Sequence, residues 1–281
     1  MEEIIISNKK SFEQKKERIV IDGIKNLFVV SDFDRTLTKS KIGNEKTSSL
    51  VAILREGNYL GEDYSREAHK LFEKYHPYEI DMEISFEEKN SKMHEWWTKH
   101  NKLFVKYGLT RKMIKDVVNK RKAGFRDGAK RFMRLLHQNN IPLVIVSASS
   151  LGADIDDYLE KNNILYKNTK IVTNYFNFDK NGRVIGAKDP VITTTNKYLA
   201  VNEFSSELGG IDKRKKNIIL LGDNYEDENM ANSFVYEDIL KIGFLNEKIE
   251  ERLDNYKEVF DVVILNDGSM EFANSLLKSL V

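Results

Sequence analysis

The sequence predicts an α/β protein: a parallel sheet with helices on both faces, and a helical insertion after the first core strand. Three observations carry this. Short apolar runs rich in β-branched residues recur along the chain, helical patterns lie between them, and one long charged stretch has helical periodicity without a buried strand. Uninterrupted apolar runs of this length mark strands buried on both faces, as in parallel sheets. Strands alternating with helices imply a sheet covered on both sides.

Taken in order, Leu27–Ser31 (LFVVS) is the first predicted strand. Residues 46–124 form the helical insertion, or cap, with helices over Glu87–Tyr107 and Thr110–Lys122; residues 1–45 and 125–281 form the core. A helix over Asp127–Gln138 leads into the second strand, Ile141–Ser147, and another over Asp154–Lys161 follows it. Asn174–Lys188 alternates around Asn181-Gly182, a strong hairpin signal. The third strand is Asn217–Leu221, and the fourth, Asp261–Leu265, lies between helices over Lys248–Phe260 and Ser269–Leu280.

Composition narrows the function. The chain has 281 residues, and 45 Lys+Arg against 44 Asp+Glu leave a net charge of +1, so no electrostatic footprint for nucleic acid is present. With 41% hydrophobic residues there is material for a core. Zero Cys excludes disulfides, thiolate metal sites and a cysteine nucleophile. No apolar run approaches the ~20 residues of a membrane helix, and the start of the chain is too polar and acidic for a signal peptide. The expected address is the cytosol, and the lack of a coiled-coil pattern predicts a monomer.

The chemistry lies in what ends the apolar runs. The first ends in Ser31-Asp32-Phe33-Asp34-Arg35-Thr36-Leu37-Thr38, the second in Ser147-Ala148-Ser149-Ser150, the third in Gly222-Asp223-Asn224-Tyr225-Glu226-Asp227. Open α/β sheets bind ligands outside the carboxyl ends of their strands, so these groups should converge on one rim. A single Asp after a strand is usually a turn former; DxDxT after one buried strand together with GDNxxD after another is far more specific. Clustered carboxylates repel unless a cation is present. All-oxygen donors favour a hard ion, most plausibly Mg²⁺ beside a substrate phosphate. Asp32 then serves as nucleophile, Asp34 as acid and base, and Ser147 with a Lys as phosphate ligands.

Asp32-Phe33-Asp34-Arg35-Thr36, Ser147 and Gly222–Asp227 resemble motifs of the haloacid dehalogenase superfamily. KYHPYEID at 74–81, EWWTK at 95–99, TNYFNFDKNGRVIG at 173–186, ILKIGFLN at 239–246 and the C-terminal NDGSMEFANSLL more closely resemble the cytosolic 5′-nucleotidase III (pyrimidine 5′-nucleotidase) family. The resemblance implies a Rossmann-type core with an inserted helical cap, and a Mg²⁺-dependent hydrolysis of nucleoside monophosphates through an aspartyl-phosphate, with phosphotransfer a further capacity of some relatives. It implies that Asp32, the Asp34 carbonyl and Asp223 bind Mg²⁺ with Asp227 in support. Ser147, the Ala148 backbone and Lys197 would hold phosphate, and Thr36 would order the nucleophile loop or help hold it. Glu95 would recognise the base. Trp97 would stack on it or be core; members active on 7-methylguanosine monophosphate carry Trp there, those active on pyrimidines often Tyr. Ser149, Asn224 and Glu226 depart from the family pattern of Gly, Ser and Gly. Two other functions compete: a phosphomonoesterase of the same superfamily acting on another small ester, and a non-catalytic nucleotide-binding protein. The complete acid set speaks against the second.

Overall fold

The computed structural model describes residues 3–81, 83–121, 123–148, 151, 154–204 and 215–281. The elements run β1 (Ile4–Ile6), α1 (Lys9–Asp22), β2 (Leu27–Ser31), β3 (Lys41–Ile42), β4 (Glu45–Lys46), α2 (Leu50–Glu56), α3 (Glu62–Ile80), α4 (Phe86–Lys106), α5 (Arg111–Lys120) and α6 (Ala129–Gln138). They continue through β5 (Leu143–Ser147), α7 (Asp154–Lys161), β6 (Thr169–Thr173), β7 (Phe176–Phe178), β8 (Val184–Ala187), α8 (Lys197–Phe204) and β9 (Asn217–Gly222). A 3-10 helix over Tyr225–Ser233 leads to β10 (Asp238–Leu245), α9 (Ile249–Val259), β11 (Val262–Leu265) and α10 (Glu271–Leu280).

Among the described residues the main sheet has seven strands in the order β1-β11-β10-β9-β2-β5-β6. All pairings are parallel except that of β1 with β11. Numbered by their turn in the chain, the parallel strands run 3-2-1-4-5-6, the doubly wound order whose switch point lies between β2 and β9. Successive strand side chains face opposite ways. Leu27 and Val29 accordingly enter the core cluster shared with α6 and α10, while Phe28 and Val30 enter a second cluster with Ile218 and Leu220. Both faces of β2 are therefore dry, which is why its sequence is a continuous apolar run.

The helical insert is α2 to α5. Ser85 caps α4, its side chain accepting from the Glu88 N–H, and Thr110 caps α5 in the same way through Met113. One stripe of α4, formed by Lys89, Met93, His100 and Phe104, is buried. The stripe packs on α3 through Tyr64, whose hydroxyl lies 3.0 Å from His100 Nε2, and on β7 through Phe104 and Phe176. The expected hairpin is β7 and β8, antiparallel. Its Gly182 has φ +76, a conformation L residues avoid, and the Gly182 carbonyl accepts from the Arg111 N–H at 2.9 Å. The chain leaves and re-enters the core side by side. Thr38 bridges Phe125, Lys39 N–H donates to the Gly124 carbonyl at 3.0 Å, and Thr47 N–H donates to the Ser40 carbonyl at 2.8 Å. No helix among the described residues is long and apolar enough to cross a membrane.

Candidate active site

The loop after β2 is held from beneath by one buried guanidinium. Arg126 donates through Nε to the Thr36 carbonyl at 2.7 Å, through Nη2 to the Arg35 carbonyl, and through Nη1 to the Gly268 carbonyl. It also reaches Asn246 Oδ1 at 3.1 Å, pairs with Asp267, and lies over the Phe244 ring. Five donors in a rigid fork suit a side chain that must fasten several carbonyls at once. The loop adopts a left-handed residue at Arg35, φ +60, and turns Asp32 upward beside β9, whose Leu221 carbonyl accepts the Asp32 N–H at 3.0 Å.

At this switch point three carboxylates meet. Asp32, Asp223 and Asp227 each place one oxygen within 4.8 Å of the others. Asp32 and Asp227 are buried and Asp223 is partly so. Gly222 makes the approach possible, because a Cβ there would lie 2.5 Å from the Asp227 Cβ. Asp227 Oδ2 accepts from the Asp223 and Asn224 N–H groups at 3.1 and 3.0 Å, which orients the carboxylate from its own helix start. Lys197, the first residue of α8, places Nζ 2.6 Å from Asp32 Oδ1 and 2.7 Å from Asp227 Oδ1. Burial raises Asp32 well above the usual carboxylate range; Lys197 opposes that, and the charges of Asp227 and Asp223 add to it. Burial, with Asp227, lifts Asp223 to about 7. Burial pulls Lys197 down, but Asp227 and Asp32 outweigh it and hold the ammonium above its ordinary value. Among the described residues Lys197 is the cation that touches these acids, and the all-oxygen donor set fits a hard divalent ion.

Ser147 and Ala148 stand at the carboxyl end of β5, next to β2 and buried. Their carbonyls are fixed by Thr173 Oγ1 at 3.0 Å and Asn174 Nδ2 at 2.9 Å. The Thr193 N–H donates to Asn196 Oδ1 at 2.7 Å and Asn196 Nδ2 to the Val191 carbonyl at 2.9 Å, folding the loop that presents Lys197. The Thr36 hydroxyl is buried and has no hydrogen-bond partner among the described residues. Asp34 is turned to the guanidinium of Arg121, at the end of α5. Ser149 lies outside the described residues.

Lys89 and Asn90 of α4 join the insert to this rim. Lys89 Nζ is 3.0 Å from Glu226 Oε1 and 3.2 Å from the Tyr225 hydroxyl, and Thr195 Oγ1 donates to Asn90 Oδ1 at 2.8 Å. Glu226 is thus engaged by the insert. Glu95 and Trp97 sit farther along α4 and make no hydrogen bond to the acid cluster. Glu95 pairs with Lys99 at 2.5 Å, and Lys99 and Tyr75 together hold its carboxyl down at about 2. Trp97 packs partly buried against the main core cluster, its ring stacked on His100. His76 stacks on Phe72, and His94 is exposed.

Sequence reasoning missed Lys89, Arg121 and Arg126. For Lys89 a signal existed: it occupies the stripe that Met93, His100 and Phe104 continue, and a lysine on a buried stripe needs a charged partner. Arg121 and Arg126 carry no local signal, since their partners are 87 and 90 residues away.

The family model described as Pyrimidine 5'-nucleotidase (UMPH-1) matches residues 35–281. The chain is 37% identical over 256 residues to the mouse (Mus musculus) 7-methylguanosine phosphate-specific 5'-nucleotidase, covering 91% of this chain and 85% of that protein. It is 34% identical over 270 residues to 7-methylguanosine phosphate-specific 5'-nucleotidase A of Xenopus laevis, covering 96% and 92%. Cytosolic 5'-nucleotidase IIIB bound to cytidine superposes with TM-score 0.87 at 30% identity, over 99% of this chain and 93% of that one. A phosphoserine phosphatase carrying a phospho-aspartyl intermediate analogue shares the fold, with TM-score 0.51 at 18% identity over 89% and 97%.

Proposed function

The chain belongs to the pyrimidine 5′-nucleotidase (UMPH-1) family, within the haloacid dehalogenase superfamily, and on that premise we propose that it hydrolyses nucleoside 5′-monophosphates, 7-methylguanosine 5′-monophosphate foremost, through a phosphorylated Asp32. The observation that carries this reading is the meeting of Asp32, Asp223 and Asp227 with Lys197 at the β2/β9 switch point.

In this reading an Asp32 oxygen attacks phosphorus, and the ester bond to O5′ breaks as Asp34 gives that oxygen a proton. Water then attacks the phosphorus of the aspartyl-phosphate while Asp34 takes its proton, freeing phosphate and restoring Asp32. Lys197, the Ser147 hydroxyl and the Ala148 N–H bind the phosphate oxygens. The Thr36 hydroxyl, without a partner among the described residues, supports a further donor in the nucleophile loop. Asp32, the Asp34 carbonyl and Asp223, with Asp227 behind them, would hold Mg²⁺, which when bound shields the phosphate from the surrounding carboxylates.

Base recognition falls to α4. Lys89 touches Glu226 beside the acid cluster, and Glu95 and Trp97 lie six and eight residues farther on, about 9–12 Å along the helix. That spacing suits a ribose between phosphate and base. An ionised Glu95 accepts hydrogen bonds from the imino and amino groups of a guanine edge or from the cytosine amine. The ring of Trp97 offers a cationic methylated purine an electron-rich face. Both relatives named for 7-methylguanosine phosphate support that substrate; the cytidine-bound relative supports CMP as the second. A single chain supplies every group used, which supports action as a monomer, and the relative named cytosolic supports that address.

The test is phosphate release from CMP, UMP, AMP, GMP and 7-methyl-GMP, each with magnesium and with EDTA. The expected order places 7-methyl-GMP first and CMP second, with release lost in EDTA and in Asp32→Asn. Equal rates on AMP and GMP would overturn the base assignment, and near-wild-type rates in Asp32→Asn the nucleophile.

A further inference from the structure

His100, on α4, is a buried ionisable group that the chemistry above does not use. It is 2% exposed, and burial, with Arg55 adding, pushes its imidazole down to about 3, so the ring is neutral. Its Nε2 lies 3.0 Å from the hydroxyl of Tyr64, a fully buried residue of α3. The ring stacks on Trp97, 6.2 Å between centroids with 28° between planes, and meets Phe104 at 4.7 Å. Phe104 in turn meets Phe176 of β7 edge-on at 5.6 Å. Trp97, His100 and Phe104 are spaced by three and four residues and so share one face of α4. The rings form a ladder that starts at the half-buried Trp97 and ends in the core cluster containing Phe176.

Packing alone does not call for histidine here. An imidazole loses its hydration on burial and must be repaid by a hydrogen bond, whereas an apolar side chain of the same volume has no polar atom to satisfy. What the imidazole adds is a fixed plane. A phenyl ring turns readily about its last side-chain bond; a ring fastened at one nitrogen to a buried hydroxyl does not. A neutral ring also puts no positive charge beside the indole, where it would compete with a cationic base for the electron-rich face.

We propose that His100 is a positioning residue for base selection: clamped by Tyr64 and stacked on Trp97, it holds the indole in the orientation that receives a 7-methylguanine base. The inference rests on the stacking role given to Trp97 above. It also brings α3 into base choice, because the clamp on the ladder comes from Tyr64.

The experiment reads two quantities. One is the kcat/KM ratio of 7-methyl-GMP to CMP, with kcat and KM followed separately. The other is the quenching of Trp97 emission by 7-methylguanosine in a Trp96→Phe background, which removes the second of the chain's two tryptophans. His100→Gln keeps a polar partner for Tyr64 and deletes the ring. It should shift the ratio toward CMP by about threefold to tenfold, with the loss in KM for 7-methyl-GMP and a matching weakening of quenching. His100→Phe keeps a ring and deletes the hydrogen bond, so it should shift the ratio less. His100→Gln added to Trp97→Ala should leave the ratio where Trp97→Ala sets it, because both changes act through one ring. An unchanged ratio in His100→Gln, whether or not both rates fall, or a further shift in the double variant would overturn the proposal and leave His100 a packing group. If Trp97→Ala alone leaves the ratio unchanged, the stacking role of Trp97 falls and the proposal falls with it. Should His100→Gln not fold, Tyr64→Phe decides, since it removes the clamp and keeps every ring: a shift toward CMP supports the proposal, and an unchanged ratio refutes it.

Discussion

Lys197→Met probes the charge balance of the site before any substrate arrives. With all three ionised, as at alkaline pH, carboxylate oxygens at 4.8 Å, the outer limit of the cluster's spacing, repel by about 3.5 kcal/mol per pair at an effective dielectric of about 20, or about 10 kcal/mol over the three pairs. The Lys197 ammonium, 2.6 and 2.7 Å from Asp32 and Asp227, returns about 6 kcal/mol with each on the same basis. Attraction and repulsion therefore nearly cancel only while the lysine is present. Methionine keeps the volume and deletes the charge, so the metal-free variant should lose about 3–5 kcal/mol, the usual result of stripping one partner from a buried pair. For a chain of this size that lowers Tm by about 5–15 °C. Magnesium should then restore more stability to the variant than it adds to the wild type, because binding to the folded state alone is stabilising. Thermal melts followed by circular dichroism, in EDTA and in millimolar magnesium, measure both effects. A metal-free variant melting within about 2 °C of wild type would refute the view that Lys197 offsets the acid cluster.

The link between insert and core makes a second test. Lys89→Met leaves the partly buried Glu226 with only the Tyr225 hydroxyl and should cost about 2–3 kcal/mol in denaturant unfolding, most of it recovered in Lys89→Met/Glu226→Gln; equal midpoints for the two variants would show the pair to be idle. His100 gives a pH signature. Burial, with Arg55 adding, pushes it down to about 3 from an unfolded value of 6.5, so the unfolded chain takes the proton first. Stability therefore falls as pH drops from 6.5 toward 3, by up to about 1.4 kcal/mol per pH unit from this group. His100→Gln should flatten that part of the profile, and an unchanged slope would contradict the assignment. Trp97→Ala should shift the kcat/KM ratio of 7-methyl-GMP to CMP toward CMP by about tenfold if the ring stacks on the base; an unchanged ratio with lowered stability would assign Trp97 to packing.

The strands legible from sequence are those whose two faces are dry. β2, β5, β9 and β11 read as unbroken apolar runs for that reason. β10 escaped because Lys241 and Gly243 interrupt it: Lys241 reaches Glu228 at the edge of the site, and Gly243 admits the Phe260 ring, which a Cβ would meet at 2.5 Å. α1 was missed because it buries only Phe12 and Ile19 beneath a strongly charged surface, too little for a visible stripe. α3, with Tyr64, Ala68 and Tyr75 buried, hid in the charged insertion. At the site, the acids were legible because strand ends fix where they must lie. The cations were harder: Lys197 was named only through the family resemblance, Lys89 lay unread on a buried helical stripe, and Arg121 and Arg126 act across 87 and 90 residues, where nothing local marks them among 45 basic residues.

The adjacency of Thr38 and Lys39 to Phe125 and Gly124 has a consequence for exchange between relatives. The excursion departs and returns at one seam, so substituting another member's segment disturbs no rung of the main sheet. Such a chimera would carry base choice as a module while leaving phosphoryl chemistry with the host. Among the bonds that cross from the transplanted side to the rim are Lys89 to Glu226 and Asn90 to Thr195. A graft lacking a counterpart for the first would strand a partly buried acid, so position 226 must travel with the donor.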